Sequence, residues 1–250
     1  MHPSLVHLDG KTRGVLDRAV STLTERYGSD LIAVVLYGSA TGPDFIPGRS
    51  DLNLLLLLAR VNVAVLETAR TLARRWGKDH IVPVLMTGAD VHSSLDVFPI
   101  ELLELQASRV VLFGQDPFER LSVQYDDLRL QCEYELKRHL FRFRRAYVGI
   151  GDREQPRVLI ASVTGLLPLL RTVLRLLGAA DSPAANRDVF TRIADHSGID
   201  PAPFLTVLDM KRESPRRMTS EWRTLTDAYL VQLERLITAV DRLTEGPPRA

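Results

Sequence analysis

The chain has 250 residues, 45% hydrophobic and 25% charged, with a formal net charge of +1. These values describe one or two globular domains with sizeable cores and exclude a mainly disordered chain. The single cysteine, Cys132, excludes an internal disulfide and a thiolate metal cluster, and its place in an apolar helical stripe reads as a buried structural thiol. No uninterrupted apolar run of membrane length and no basic-then-apolar leader over Met1 to Lys11 is present, so a cytoplasmic protein without a membrane partner is expected. Through Phe118 there are 11 basic against 13 acidic residues, and in the remainder 21 against 18. That difference is too small to give a clear nucleic-acid signal.

In chain order, Thr12 to Tyr27 carries Leu16, Ala19, Val20, Leu23 and Tyr27 at helical spacing and stops at Gly28. Two apolar runs, Leu31 to Tyr37 and Leu52 to Leu58, read as buried strands on their length and on the Gly, Pro, Asp and Ser that bound them. Asn62 is suited to cap a helix with Val65, Ala69, Leu72, Ala73 and Trp76 on one face, ended by Gly77. Ile81 to Met86 reads as a third strand, and Thr87 with Asp90 as a helix start. Phe98 to Leu105 is apolar and acidic without a decisive period, and Arg109 to Phe113, closed by Gly114, reads as a last strand.

Strand signals then vanish. Asp126 to Tyr147 forms a long helical stripe through Leu128, Cys132, Leu136, Leu140, Phe143 and Tyr147. Val158 to Leu177 is a second, very apolar helix ended by Gly178, with Pro168 expected to kink it. Ser182-Pro183 reads as cap and first turn of a helix reaching His196 and Gly198. Pro203 to Lys211 and Glu221 to Leu243 complete the set, with a frayed tail from Gly246 to Ala250. The expected fold class is α+β, a mixed sheet with helices over residues 1–118 followed by an all-α helical bundle over 119–250.

Between the first two strands stand Tyr37-Gly38-Ser39-Ala40 and, after a nine-residue spacer, Ser50-Asp51-Leu52-Asn53. This resembles the signature of the nucleotidyltransferase superfamily, Gly-Ser followed by Asp-x-Asp or Asp-x-Glu, found in aminoglycoside adenylyltransferases and polymerase-beta-like enzymes. The resemblance implies a nucleoside triphosphate bound at Gly38 and Ser39 and magnesium held by Asp51. The chemistry agrees: glycine lets backbone N–H groups approach anionic oxygens, and residues two apart on a strand share a face, so Asp51 and Asn53 would both face an ion. Asn53 keeps an oxygen of the family's second carboxylate and loses its charge. The third family carboxylate is absent from the candidate strand, where Leu85 aligns with it; Asp90 and Asp96 follow. Arg49 is placed to contact phosphate, although a solvated loop arginine is the commoner role.

Three readings follow from the sequence. The first is a nucleotidyltransferase-fold protein that binds nucleotide with weak or lost transfer, a pseudoenzyme. The second is an active magnesium-dependent nucleotidyltransferase modifying a hydroxyl of a small molecule or protein. The third is a toxin–antitoxin-like interaction module, for which an exposed apolar groove on the bundle would speak. The helical half resembles either the bundle appended to small-molecule adenylyltransferases or a HEPN-like bundle, with Arg192 and His196 at a shorter spacing than the HEPN motif. His80, His92, His139 and His196 show no metal-ligand spacing. Lys137, Arg138, Arg142, Arg144 and Arg145 crowd one helix, which reads as a solvated face without interleaved aromatics.

Overall fold

The computed structural model describes residues 5–42, 45–179, 185–212 and 219–243. The chain divides into two compact units, Met1–Val123 and Gln124–Ala250. The division falls a few residues after the expected 118/119 boundary, because Phe118 is fully buried in the first unit and Gln106 Nε2 donates to the carbonyls of Phe118 and Leu121 at 3.1 and 3.0 Å.

In the first unit, helix α1 (Gly10–Tyr27) starts at Asp9, whose carboxylate accepts the Thr12 N–H at 2.6 Å. Strand β1 (Leu31–Tyr37) and strand β2 (Leu52–Leu58) have the boundaries read from sequence. Helix α2 (Val63–Trp76) is capped by Asn62 as expected, its Oδ1 accepting from the Val65 N–H at 3.0 Å. Strand β3 (Ile81–Thr87) leads into the short α3 (Gly88–Ser93), and strand β4 (Arg109–Gly114) closes the set. The unassigned stretch is a helix, α4 (Pro99–Ala107). Its Pro99, Ile100 and Leu102 are buried while Glu101 and Glu104 are exposed, a pattern too short over nine residues to give a decisive period.

The sheet order is β3-β2-β1-β4, with β2 and β3 parallel and the other two pairs antiparallel. Both faces are covered, which is why β1 and β2 read as continuous apolar runs. One face carries Leu54, Leu56 and Leu58 against Leu16 and Leu23 of α1 and Val65 and Leu72 of α2. The other carries Ala33, Val35, Leu55 and Leu57 against Val91 of α3, Leu102 of α4 and Phe118. Gly114 fixes one edge of this arrangement: at φ +78°, a Cβ there would come within 2.0 Å of the Ile32 carbonyl oxygen.

The second unit is helical over its described residues: α5 (Tyr125–Val148), α6 (Gln155–Leu176), α7 (Asn186–Ser197), α8 (Ala202–Arg212) and α9 (Thr219–Asp241). The expected cap Ser182-Pro183 and the tail from Gly246 lie outside the described residues. Helix α6 runs through Pro168 and packs against α5, α7, α8 and α9. By length and composition alone residues 152–176 could cross a membrane, with an 18-residue stretch of mean hydropathy 1.6. Here that hydrophobicity is used within the bundle, where Leu159, Val163, Leu166, Leu170, Val173 and Leu174 are buried. The expected α5 stripe from Leu128 to Phe143 is buried, and burial pushes the Cys132 thiol up to about 12, the state of an inert structural cysteine.

Candidate functional site

Strand β1 ends at Tyr37 and the chain turns through a single 3-10 turn, Gly38–Thr41. Gly38 has φ +77°, and a Cβ there would stand 3.0 Å from Asn53 Nδ2. Both facts require glycine, and the second brings the two motif halves side by side. Thr41 Oγ1 donates to the Gly38 carbonyl at 2.8 Å, the Gly42 N–H to the Ser39 carbonyl at 3.1 Å, and His7 Nε2–H to the Ala40 carbonyl at 3.0 Å. Ala40 is buried while Ser39 is exposed. His7 was not singled out in the sequence; 33 residues separate it from Ala40, so only the fold brings them together.

The second motif half enters β2. Leu52 is buried among the α1 and α2 side chains, so strand alternation gives Asn53 and Asp51 the opposite side. Asp51 precedes the strand and is exposed, with its Oδ1 3.9 Å from His80 Nδ1. His80 has φ 56°, the one positive φ of a non-glycine residue among those described. Its carbonyl accepts the Leu52 N–H at 2.8 Å, tying the starts of β3 and β2 together. His80 adds an imidazole beside Asp51 that sequence reasoning left as a scattered histidine.

The pairing registers define a row at this end of the sheet: Val82 on β3, Asn53 on β2, Tyr37 on β1 and Arg109 on β4. Burial raises the Tyr37 phenol above its ordinary pKa. Arg109 is held by Asp116, its Nε 3.0 and 2.9 Å from the two carboxylate oxygens. Burial pushes the Asp116 carboxyl up, but the Arg109 hydrogen bond and the Phe118 N–H outweigh it, leaving a net lowering.

This register corrects the expectation for β3. Leu85 pairs with Leu56 and packs on the α1 and α2 side, so it is not the position beside Asn53. That position is Val82, followed on the same face by Val84, and these are 42% and 39% exposed. Both are apolar where a third carboxylate would serve the row. Asp90 is used elsewhere: its Oδ2 accepts from the Thr87 N–H at 2.7 Å and from Oγ1 at 2.8 Å, closing the capping box of α3. The Thr87 backbone hydrogen bond, then its hydroxyl, lowers the Asp90 pKa. Asp96 is exposed in the segment between α3 and α4.

Arg49 is exposed in a closed turn where the Arg49 and Ser50 N–H groups donate to the Ile46 carbonyl at 3.1 and 2.9 Å and Ser50 Oγ accepts from the Ile46 N–H. Among the described residues no group of three or more His, Cys, Asp or Glu could hold a metal ion. Magnesium usually takes one or two carboxylates together with substrate phosphates and water. Asp51 meets that demand for one ion. A two-ion clamp does not fit, because Asn53 and Val82 occupy the positions where further carboxylates would stand. A cavity of about 670 Å³ in the first unit, against Val91, His92, Asp116 and Arg120, has none of the motif residues in its lining.

In the second unit, His196 Nδ1–H donates to the Arg192 carbonyl at 2.8 Å within α7, a local bond rather than a paired catalytic geometry. His139 is buried in the bundle, its Nε2 2.9 Å from Ser162 Oγ, which lies 2.7 Å from the Tyr229 hydroxyl. Burial, with a contribution from Arg142, lowers the imidazole to about 4. One sequence expectation for α5 is overturned. Tyr134 and Phe141 are 62% and 60% exposed and share a groove with Lys137, Arg138, Arg142 and Arg145, so aromatics do interleave with the cations.

No known sequence family matches this chain. No curated protein matches it in sequence. Among solved structures it is similar to the spectinomycin adenyltransferase AAD(9) from Enterococcus faecialis, crystallised with ATP and spectinomycin. The identity is 10%, the TM-score 0.52, and the match covers 92% of this chain and 99% of that one. A match of that extent takes in both units. At this identity the likeness concerns the fold alone: the chain shares the α+β fold of that adenyltransferase, with a helical C-terminal region.

Proposed function

We propose that this chain binds a nucleoside triphosphate at the rim formed by Gly38, Ser39, Asp51 and Asn53, and that its nucleotidyl-transfer activity is weak or lost. One observation carries the reading: Asn53, two residues after the single motif carboxylate Asp51, has Val82 as its neighbour on β3, so neither position supplies a second carboxylate. Transfer to a hydroxyl concentrates charge on the phosphoryl oxygens, and enzymes of this chemistry commonly answer it with two ions held by carboxylates. Asp51 with the triphosphate's own oxygens suffices for one magnesium ion. Binding is therefore retained more readily than turnover. Gly38 allows close backbone approach, Ser39 offers an exposed hydroxyl, and Arg49 stands free to approach phosphate oxygens from its exposed turn.

The second reading is an active magnesium-dependent transferase acting on a small-molecule hydroxyl. It is favoured by the fold likeness to a protein crystallised with both ATP and spectinomycin. Incubation with ATP labelled on the α-phosphate, magnesium and a panel of aminocyclitol and aminoglycoside hydroxyl compounds separates the two. Magnesium-dependent ATP binding without labelled product or pyrophosphate release is expected. A labelled adduct formed at a rate typical of enzymes, about 1 to 1,000 per second, would establish the second reading instead.

A further inference from the structure

We infer that the outer face of α5 is a self-complementary surface that pairs antiparallel with the same helix of a second copy of this chain. The inference is independent of the nucleotide site. The buried side of α5 contains Leu128, Cys132, Leu136, Leu140 and Phe143. Its opposite side carries Leu130, Tyr134, Phe141 and Val148, all exposed. Those four recur at spacings of four and seven residues, so they form one stripe rather than scattered surface apolar residues. The groove beside Tyr134 and Phe141 has a volume of about 430 Å³. Tyrosine, phenylalanine and arginine are the side chains enriched in interface cores.

Charge selects the occupant. Helix α5 is acidic at its start, with Asp126 and Asp127, and basic towards its end, with Arg138, Arg142 and Arg145. Lys137, Arg138 and Arg144 are already paired, with Glu133, Glu135 and Glu234. Asp127, Arg142 and Arg145 have no ion-pair partner among the described residues. Asp127 and Arg145 are 18 residues apart, five helical turns, so both lie on one line along the helix, flanking the apolar stripe and about 27 Å from each other.

Pairing two copies antiparallel about the level of residue 136, whose own side chain is on the buried side, sets Asp127 of each level with Arg145 of the other, and Tyr134 with Arg138. Arg142 then lies over Leu130, where its aliphatic stem covers the apolar side chain. Phe141 falls beside Leu130 and Tyr134 of the second copy. Parallel pairing would place Asp127 on Asp127 and Arg145 on Arg145, which like charges oppose. The outcome is an isologous two-fold contact, the commonest closed symmetry of homo-oligomers. One helix face is smaller than a standard interface, so the dimer should dissociate in the micromolar range.

Sedimentation velocity on the full chain, from about 1 to about 100 μM at low ionic strength, where exposed ion pairs are least screened, tests this. The wild type should pass from monomer to dimer. Phe141→Ser, Asp127→Arg and Arg145→Asp should each move the midpoint at least about tenfold higher, which is 1.4 kcal/mol. The double variant Asp127→Arg/Arg145→Asp should restore it, because the swap rebuilds both end pairs. None of the three positions is buried, and circular dichroism checks that the helices persist. A wild type that stays monomeric throughout would overturn the inference. So would a dimer indifferent to Phe141→Ser, a double variant as weak as the single ones, or a monomer whose α5 face instead takes up a single-stranded oligonucleotide.

Discussion

Two polar clusters in this chain use similar side chains to opposite ends. In the helical unit, His139, Ser162 and Tyr229 form a closed, buried hydrogen-bonded group, and Tyr229 also packs edge-on against Phe143 and Phe204 at centroid distances of 5.1 and 5.5 Å. At the sheet rim, Asp51, His80 and Asn53 stand at strand starts, with Asp51 and His80 both open to solvent. The first group is buried, and its Nε2 and two hydroxyls bond to one another. The second leaves capacity open at the end of a rigid sheet, where a ligand can meet it. Residue type alone would have favoured the histidine and serine of the core; accessibility reverses the choice.

The comparison predicts stability losses in the core and binding losses at the rim. The largest effect should come from Tyr229→Ala, which empties a fully buried site and should cost about 3–5 kcal/mol in urea unfolding with triphosphate affinity unchanged in the folded protein. Tyr229→Phe keeps the ring contacts and removes one hydroxyl, so about 1 kcal/mol is expected. A comparable loss of triphosphate affinity in Tyr229→Phe would erase the distinction between the clusters.

At the rim, Gly38→Ala meets both the positive φ and the Asn53 amide. It should cost about 1–2 kcal/mol of stability and weaken ATP binding, seen by thermal unfolding and titration. Asn53→Asp adds the missing charge on the face of Asp51. It should strengthen magnesium-dependent ATP binding by roughly tenfold, which is 1.4 kcal/mol, and leave magnesium-free binding unimproved.

A pH dependence of the core is also expected. The folded His139 pKa of about 4 lies below its ordinary 6.5, so the unfolded chain binds the proton more readily. The contribution is fully present above pH 6.5 and is lost as pH falls through that value towards 4. Urea midpoints should decline over that window in the wild type and decline less in His139→Gln. Parallel profiles in the two proteins would show that His139 charging is not what destabilises the bundle.

The four strands were legible because strands covered on both faces read as unbroken apolar runs, and Asp, Gly and Ser punctuate their ends. The bundle was legible from long stripes such as Leu128 to Phe143. What failed was what a single chain does not encode locally. The sequence of β3 carries no mark of its pairing with β2, so Leu85 was aligned where Val82 stands. His80 meets Asp51, and His7 meets Ala40, only across the fold. Reading α5 from its buried stripe also hid Tyr134 and Phe141, which lie on the other side. Of the candidate site, Gly38, Asp51 and Asn53 were named from the family resemblance and the fold brings Gly38 and Asn53 into contact distance, while the apolar Val82 beside Asn53 emerged only from the register.

The central claim is that Asp51 is the one motif carboxylate, among the described residues, of a retained nucleotide rim. Calorimetric titration of ATP into the purified protein, with and without magnesium, in the wild type and Asp51→Ala, tests it most directly. Magnesium-dependent binding in the wild type that disappears in Asp51→Ala is the predicted result. Absence of binding in the wild type, or binding that survives Asp51→Ala unchanged, would contradict it.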